Sequence, residues 1–233
     1  MSRKKNYNIY HNRHLGERCV LVCNGPSLNK MDLSFLKGET VIGLNKIFLG
    51  FKKFRFYPRY HVVVNQKVIE QSVREINALT CVKFVSDRSS GTITENALTN
   101  IVNSKHFRDD FSFDISEGVQ EGYTVTYAAL QIAFYLGFSQ VIIIGMDHSF
   151  SFHGKPNEEN IYHGDDINHF VPGYFRDLKW DNPDLENSEK FYDIAKRVYE
   201  EHGRNIVDAT LNGACQVFNK KDYREIFKEV SGC

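Results

Sequence analysis

Three asparagines stand directly after short runs rich in β-branched residues, where polar side chains mark the ends of buried strands. Asn24 follows "CVLVC", Asn45 follows "TVIGL" and Asn65 follows "YHVVV". An asparagine amide donates and accepts hydrogen bonds without adding charge, so it suits the edge of a nucleobase or the hydroxyls of a sugar. The alternative is that each asparagine only caps a turn. Three such residues in succession favour a binding site.

The turn "NGPSL" after the first run has some features of a phosphate-binding loop. Gly25 permits a tight exit from a strand, Pro26 fixes φ at the start of a helix, and Ser27 can cap that helix. The backbone N–H groups of such a turn can face an anion. The turn lacks the three glycines of GxGxxG and the lysine of GxxxxGK[ST]. An ordinary capped junction between a strand and a helix is therefore the alternative.

Asp147 and His148, in "GMDHS", follow the most apolar predicted strand. A carboxylate next to a histidine at the end of a strand can bind a metal, act as a general base or contact a hydroxyl. The alternative is that Asp147 caps the next turn. We favour a functional role, because a long irregular segment starts here.

That segment, residues 149–179, is rich in Gly, Pro, Asn, Asp, His and aromatic residues and has no clean period. A loop of this length in a compact domain is usually functional or disordered, and we predict a lid. Structural zinc sites have tighter Cys/His spacing, so we predict that the lid binds no metal. We predict instead that one lid histidine acts as a base or phosphate ligand and that a lid tyrosine donates a hydrogen bond to phosphate. The candidate side chains in the lid are His153, His163, His169, Asp165, Asp166, Tyr162 and Tyr174.

The elements that would position these residues are short apolar runs that alternate with helical patterns. Strands are predicted over 19–23, 40–44, 60–64, 81–85, 140–144 and 204–208. Runs that are apolar on both faces are typical of a mostly parallel sheet with helices on both faces. A helix is predicted after Pro183, ends at Gly203 and forms a crossover between the last two strands. The prediction is an α/β, Rossmann-like fold in one domain, 1–233, with a basic N-terminal segment, 1–17, and the lid, 149–179.

The charge balance argues against a general attraction to nucleic acid, because Lys plus Arg and Asp plus Glu number 29 each. Residues 51–61, "FKKFRFYPRYH", interleave basic and aromatic side chains, which can bind single-stranded nucleic acid, a membrane interface or an anionic sugar. A solvated basic face is the alternative. The five cysteines show no CxxC spacing, and no apolar run suits a signal peptide or a membrane span. We predict a cytoplasmic protein without a nucleic-acid partner, with peripheral membrane contact through 51–60 as an option.

The segments "VLVCNGPSLNKMD", "VIGLN", "VVVN" and "TYAALQIAFYLGFSQVIIIGMDHSF" together resemble the bacterial sialyltransferases of glycosyltransferase family 42. They also resemble polysaccharide-locus proteins related to the archaeal-type 6-hydroxymethylpterin diphosphokinases, which share the same core. The likeness spans roughly the whole sheet. The resemblance to the sialyltransferases implies that Asn24, Gly25, Ser27, Asn45 and Asn65 contact a CMP-sugar donor. The predicted binding set also includes Pro26 and Thr124.

The sequence departs from the sialyltransferase pattern at two places. Those enzymes have a tyrosine soon after the "GxD" block to hold the donor phosphate, whereas this chain has His148 and Ser149. Their catalytic histidine lies in a lid segment like "HYxGH", and the nearest match here is "HFVPGY". His169 aligns with the first histidine of that segment, while Gly173 or Tyr174 stands at the catalytic position. We therefore predict His169, or else His148, as the base.

The predicted function is transfer of a sialic-acid-like sugar from a CMP-activated donor to a cell-surface glycan acceptor. The predicted catalytic residues are His169, His148 and Asp147, and the predicted phosphate ligands are Tyr162, Tyr174 and Arg176. No cofactor or metal is required, because a CMP leaving group carries one phosphate. Two alternatives stay open. One is ATP-dependent pyrophosphoryl transfer to a hydroxymethylpterin-like alcohol, with Mg²⁺ on Asp147, Asp165 and Asp166. The other is a non-catalytic module that binds a nucleotide or glycan.

Overall fold

An eight-stranded parallel sheet forms the centre of the computed structural model, which describes residues 7–89, 91–105 and 110–228. Residues 1–6 of the predicted basic N-terminal segment, and Cys233, lie outside the described residues. In chain order the strands are β1 (Arg18–Val22), β2 (Val41–Leu44), β3 (Tyr60–Val63), β4 (Val82–Ser86), β5 (Thr99–Val102), β6 (Ser104–Lys105), β7 (Val119–Gln120), β8 (Gln140–Ile144), β9 (Glu159–Ile161), β10 (Lys179–Asp181), β11 (Asn205–Asp208) and β12 (Asn219–Lys220). The large sheet has the order β12-β11-β8-β1-β2-β3-β4-β5. All six predicted strands are present, and their bounds lie within one residue of the prediction.

Helices cover both faces of this sheet. They are α1 (Phe51–Phe54), α2 (Gln66–Gln71), α3 (Val73–Ala78), α4 (Val125–Tyr135), α5 (Leu185–Glu201) and α6 (Tyr223–Ile226). Successive strand residues point to opposite faces. In β1, Cys19 and Leu21 therefore join a buried cluster with α4 and α5, whereas Val20 and Val22 join a second cluster with α2 and α3. The predicted α/β, Rossmann-like fold is confirmed.

The predicted crossover helix is α5, which connects the neighbouring parallel strands β8 and β11. Asp184 caps the N-terminus of α5, and its side chain accepts a hydrogen bond of 3.1 Å from the N–H of Asn187. This is the usual way to satisfy a backbone donor in the first turn of a helix. After the helix, Gly203 has a φ of 67°, a left-handed conformation that glycine adopts without strain.

The lid, residues 149–179, is more regular than predicted. Its β9 pairs antiparallel with β10, which starts at the end of the lid, so that Asn160 lies opposite Trp180. Its aromatic side chains Phe170, Tyr174 and Phe175 are buried in the second cluster. Apart from this short hairpin most of the lid is the loop that the sequence predicts, and these three aromatic side chains anchor it to the rest of the protein.

The direction of the strand order changes between β1 and β8. From β1, the strands β2 to β5 follow in sequence on one side, whereas β8, β11 and β12 lie on the other. Ligands of open parallel sheets bind beyond the carboxyl ends of the strands at such a point. Of the helices in the described ranges, none is long and apolar enough to cross a lipid bilayer.

Candidate active site

A cavity of about 690 Å³ lies at the carboxyl ends of the strands, over the junction of β1 and β8. It has the position expected for a ligand site in this kind of sheet. Of the predicted site residues, it is lined by Asn24, Gly25, Asn45, Asn65, Thr124, Asp147, His148, His169 and Tyr174. Pro26 and Ser27 line a smaller cavity of about 310 Å³, which shares Asp147 with the first. Tyr162 and Arg176 line neither cavity.

Two of the strand-end asparagines present unused acceptors. The side-chain nitrogen of Asn24 donates to the carbonyl of Leu44 at 3.2 Å, which fixes the orientation of its amide. The Oδ1 atoms of Asn24 and Asn45 are both buried, and neither has a hydrogen-bond partner within the described part of the chain. Buried polar atoms are nearly always hydrogen-bonded, so a ligand that brings N–H or O–H groups would complete this part of the cavity.

Asn45 is held in an unusual conformation by a buried histidine. Its φ is 46°, in the left-handed region, and its carbonyl accepts a hydrogen bond of 2.6 Å from Nε2 of His61. Burial lowers the pKa of His61 to about 4, so this ring is neutral at physiological pH. Non-glycine residues in this region often occur at functional sites.

Asn65 is used differently from the other two. Its Oδ1 accepts a hydrogen bond of 3.1 Å from the N–H of Val68 and caps α2. The turn-capping alternative therefore applies to Asn65, although this residue also lines the cavity.

The "NGPSL" turn uses its hydrogen-bond donors within the protein, which corrects the predicted role of Ser27. The N–H of Ser27 donates to Oδ1 of Asp147 at 2.9 Å, and its hydroxyl donates to Oδ2 at 2.6 Å. The N–H of Gly25 donates to the carbonyl of Gly145 at 2.8 Å. The residues Pro26–Lys30 form a short 3₁₀ helix without a side-chain cap. The carboxylate of Asp147 thus occupies the place where an external anion was predicted.

The contact between the turn and Asp147 leaves no space for a side chain at position 25. A Cβ atom on Gly25 would lie 1.9 Å from Oδ2 of Asp147 and 2.7 Å from the carbonyl oxygen of Gly145. Glycine is therefore required for space, since its φ of −72° suits any residue. Burial raises the pKa of Asp147 above its ordinary value, against the lowering effect of the Ser27 hydrogen bonds.

His148 lies next to Asp147 in the left-handed conformation, with a φ of 52°. Its Nε2 lies 3.0 Å from Oε1 of Glu189, and burial lowers its pKa despite this carboxylate. His148, Glu189 and Cys215 bring three potential ligand atoms within 4.8 Å of one another. Nitrogen, oxygen and sulfur ligands suit zinc, whereas burial raises the pKa of the Cys215 thiol and disfavours the thiolate that a metal needs. That the activity requires no metal remains a prediction.

His169 of the lid forms a pair with a buried acid. Its Nδ1 lies 2.8 Å from Oδ2 of Asp166, whose side chain is only 1% exposed. An ionised carboxylate only accepts hydrogen bonds, so in the neutral ring Nδ1 carries the proton and Nε2 carries the lone pair. The imidazole also stacks on Tyr174, with 3.9 Å between ring centroids and 3° between planes. These contacts fix the orientation of the ring, and the neutral histidine is held in the tautomer whose Nε2 can accept a proton.

The other lid acids and donors do not gather at the cavity. Asp165 forms an ion pair with Arg176, and both side chains are well exposed. Tyr162 bridges to Arg176 through the backbone. Asp165 and Asp166 do not line either cavity, so the structure does not bring them together with Asp147 as a magnesium site. His153 and His163 also lie outside the cavity lining.

Lys46 fastens the lid to the end of β2. Its Nζ donates at 2.9 Å both to the carbonyl of Tyr174 and to Oε1 of Gln71, and it lies 4.5 Å from the ring centroid of Phe175. Burial lowers the pKa of Lys46 to about 8. The hydroxyl of Tyr174 accepts the N–H of Lys46 at 3.2 Å, and burial raises the pKa of this phenol. Tyr174 therefore has a structural role beside its position in the lining.

Thr124 stands at the start of α4, where the helix meets the cavity. Its hydroxyl accepts a hydrogen bond of 3.2 Å from the N–H of Thr126 and lies 3.2 Å from the hydroxyl of Tyr192. The N-terminus of a helix carries a partial positive charge, which favours a negatively charged ligand group nearby. Thr124 lines the cavity, and its role in binding stays a prediction.

Several charged residues in the lining were missed by the sequence reasoning. Arg88 forms an ion pair of 2.6 Å with Glu121, and Lys67 pairs with Glu159 at 2.8 Å and also with Asp181. The available signal was their place in the chain, since Arg88 stands three residues after the end of the predicted strand 81–85 and Lys67 stands two residues after Asn65. The carboxylates of the lining are those of Glu121, Asp147, Asp181 and Asp184. Both cations are thus already neutralised by acids.

No curated protein matches the chain. Among solved structures, the fold is similar to that of a chain described as the MAf glycosyltransferase from Magnetospirillum magneticum AMB-1, with a TM-score of 0.54 and 13% sequence identity. The similarity covers 89% of this chain and 34% of that chain, so this protein spans about a third of the length of the other. At this identity the likeness concerns the fold.

A family profile described as 6-hydroxymethylpterin diphosphokinase MptE-like matches residues 2–152. The match includes the "NGPSL" turn, the strand-end asparagines and the "GMDHS" segment, and it ends before His169. The predicted resemblance to the diphosphokinase-related proteins is confirmed, whereas the closer assignment to the sialyltransferases remains a prediction. With well over half of its residues matched, the chain belongs to the 6-hydroxymethylpterin diphosphokinase MptE-like family.

Proposed function

We propose that this protein is a glycosyltransferase that moves a sugar from a nucleotide-activated donor to a glycan acceptor, with His169 as the general base. The observation that carries the proposal is the Asp166–His169 pair, which stands at a cavity with two unpartnered amide oxygens among the described residues. A base of this kind suits the removal of a proton from an acceptor hydroxyl. The solved glycosyltransferase of similar fold supports the choice of reaction class.

The donor binds through the strand ends. The Oδ1 atoms of Asn24 and Asn45 accept from the exocyclic amine of a base or from ribose hydroxyls. The hydroxyl of Thr124 and the N-terminus of α4 face the phosphate. We propose a CMP-linked, sialic-acid-like donor, because a single phosphate suits a cavity whose Lys67 and Arg88 are already paired with acids.

The transfer step follows from the geometry of His169. Nε2 takes the proton of the acceptor hydroxyl, and the hydroxyl oxygen forms a bond to the anomeric carbon of the sugar. The bond from that carbon to the phosphate oxygen breaks, and its electron pair leaves with CMP. Asp166 accepts from Nδ1 and stabilises the imidazolium that forms. Positioning and stabilisation of the leaving phosphate supply most of the rate.

A second candidate is ATP-dependent pyrophosphoryl transfer to a small alcohol. It is favoured by the description of the matched family and by the carboxylates of the lining, which include that of Asp147. This reaction needs Mg²⁺ to bridge the phosphates. A non-catalytic module that binds a nucleotide or glycan is the third candidate, and it would use the same asparagines.

A ligand panel separates these candidates. Thermal unfolding is followed with CMP, CDP, UDP, GDP and ATP, each with and without Mg²⁺, because a ligand at a hundred times its Kd stabilises the fold by about 2.7 kcal/mol. Stabilisation by CMP without Mg²⁺ supports the proposed donor. Stabilisation by ATP only with Mg²⁺ supports the pyrophosphoryl transfer instead. An equal response to all nucleotides would overturn the CMP assignment.

Turnover is then measured as CMP release from a CMP-linked sialic acid in the presence of glycan acceptors. His169→Ala should lower the rate by roughly 10²- to 10⁴-fold, the usual contribution of a general base, and leave CMP binding unchanged. His163→Ala is the matched control, because His163 is an exposed lid histidine that pairs with Asp177 outside the cavity. Full turnover in the His169 variant would refute the assignment of His169 as the general base. Tight binding with no turnover in the wild type would favour the non-catalytic module.

A further inference from the structure

The basic charge of this protein is concentrated in one stretch of the chain. No Asp or Glu occurs between Glu39 and Glu70, whereas this stretch contains six Lys or Arg residues. Because the whole chain has a formal net charge of zero, the remainder carries an equal excess of acids. The balance of the composition therefore conceals a strongly cationic segment.

Within this stretch, five side chains form an exposed surface that we name the basic surface. It consists of Lys52, Lys53, Arg55, Tyr57 and Arg59. After α1, exposed and buried residues alternate from position 55 to position 60, so that the odd positions face solvent. Tyr57 is 77% exposed. Throughout the described ranges, none of the four cations of this surface forms an ion pair with an acid, so their charge is available to an external partner.

The basic surface adjoins the lid that carries His169. The ring of Phe54, inside α1, packs on the ring of Phe170 at 5.3 Å between centroids. Lys53 donates to Oδ1 of Asn29 at 2.5 Å, and Asn29 in turn donates to the carbonyl of Phe170 at 2.8 Å. Phe170 directly follows the proposed base. A partner on the basic surface would thus lie next to the lid.

We propose that the basic surface docks on a membrane that contains anionic lipid. Clustered cations are attracted to anionic headgroups, and an exposed tyrosine places an apolar ring and a polar hydroxyl at the headgroup level. Charge complementarity favours this partner, because the surface is cationic and has no acid among its residues. The docking stands apart from the proposed function.

Vesicle sedimentation of the full chain tests the docking. The protein should bind vesicles of phosphatidylcholine with phosphatidylglycerol, bind vesicles of phosphatidylcholine alone far more weakly, and dissociate at high salt. Each cation near such a surface contributes about fivefold to binding, so Lys52→Gln with Arg55→Gln should weaken it about 30-fold. Tyr57→Ser should also weaken binding, while the salt dependence remains.

The matched control is Arg197→Gln with Lys221→Gln, which removes the same charge from exposed positions outside the basic surface. Thermal unfolding and circular dichroism check that both double variants are folded. The proposal is overturned by absent binding to the anionic vesicles, by equal binding to both kinds of vesicle, or by an equal loss in both double variants. It is also overturned if the protein binds a soluble anionic polysaccharide but not the vesicles, since the surface would then recognise a free glycan. Vesicle binding needs no substrate, so its failure leaves the proposed function untouched, and failure of the CMP panel leaves the docking untouched.

Discussion

Replacement of Asp166 by asparagine should move the proton on the ring of His169. In the wild type, Oδ1 of Asp166 accepts the N–H of Asn168 at 2.9 Å, and Oδ2 accepts from Nδ1 of His169 at 2.8 Å. In Asp166→Asn the N–H of Asn168 keeps an oxygen on its side, so the new NH₂ group faces Nδ1. Nδ1 must then accept, and the proton moves to Nε2. The atom that should take the proton of the acceptor would no longer have a lone pair.

The expected loss of turnover follows from the role of the base. General base catalysis contributes roughly 10²- to 10⁴-fold, which corresponds to about 3 to 5 kcal/mol of transition-state stabilisation. Asp166→Asn should lose most of this factor, although the shape of the side chain is nearly unchanged. Nucleotide affinity should be the same as in the wild type, because Asp166 does not line the cavity.

Nitrogen-15 NMR of the histidine ring reports the tautomer without any substrate, and CMP release reports the rate. Asp177→Asn is the matched control, because Asp177 faces Nδ1 of the exposed His163 at 3.3 Å in the same lid. A His169 ring that stays protonated at Nδ1 in the Asp166 variant would refute the structural reasoning. A changed tautomer with unchanged turnover would refute the assignment of His169 as the base.

Three further predictions concern stability. Gly25→Ala should lower the free energy of unfolding in urea by about 3 kcal/mol, because the new Cβ pushes Asp147 away from Ser27 and hydrogen bonds to a charged group contribute about 1.5 to 3 kcal/mol each. Gly173→Ala is the control and should leave the free energy of unfolding unchanged, because its Cβ meets nothing within 4 Å. Equal losses in the two variants would contradict the prediction. His61 has a folded pKa of about 4, below its unfolded value, so its contribution of about 3 kcal/mol to stability is present above pH 6.5 and is lost as the pH falls through 4. Urea titrations across this pH window should show that His61→Gln loses less free energy of unfolding on acidification than the wild type. Parallel curves for the two proteins would refute the prediction. Lys46 has a folded pKa of about 8, so the wild type should gain stability relative to Lys46→Met as the pH rises from 8 towards 10.5. A difference in free energy of unfolding that stays constant over this pH range would contradict the lowered pKa of Lys46.

The central sheet was predictable because its strands are continuous apolar runs with turn residues at their ends. The prediction missed β5 and β12, since "TNIV" contains a polar residue and β12 is two residues long. It also missed β9 and β10, whose sequences "ENI" and "KWD" show no strand pattern. These short strands form through pairing with neighbours that the local sequence does not reveal.

Much of the site was predictable for the same reason, because the carboxyl ends of parallel strands meet at one edge of the sheet. The cavity accordingly gathers Asn24, Asn45 and His148. The partner of Ser27 could not be predicted, since Asp147 lies 120 residues away in the chain. The pairing of Asp166 with His169 was within reach at a spacing of three residues, but His169 was predicted as a base without a partner and Asp166 only as a magnesium ligand of the alternative reaction.

The contact between Asp147 and the "NGPSL" turn gives this turn a built-in occupant. A tethered carboxylate competes with free anions at a high effective concentration, because it needs no encounter from solution. We therefore expect free phosphate and triphosphates to be kept off the turn. On the proposed function, specificity at this edge of the sheet is achieved by exclusion of such anions, and recognition of the nucleotide falls to the neutral amides beside the turn.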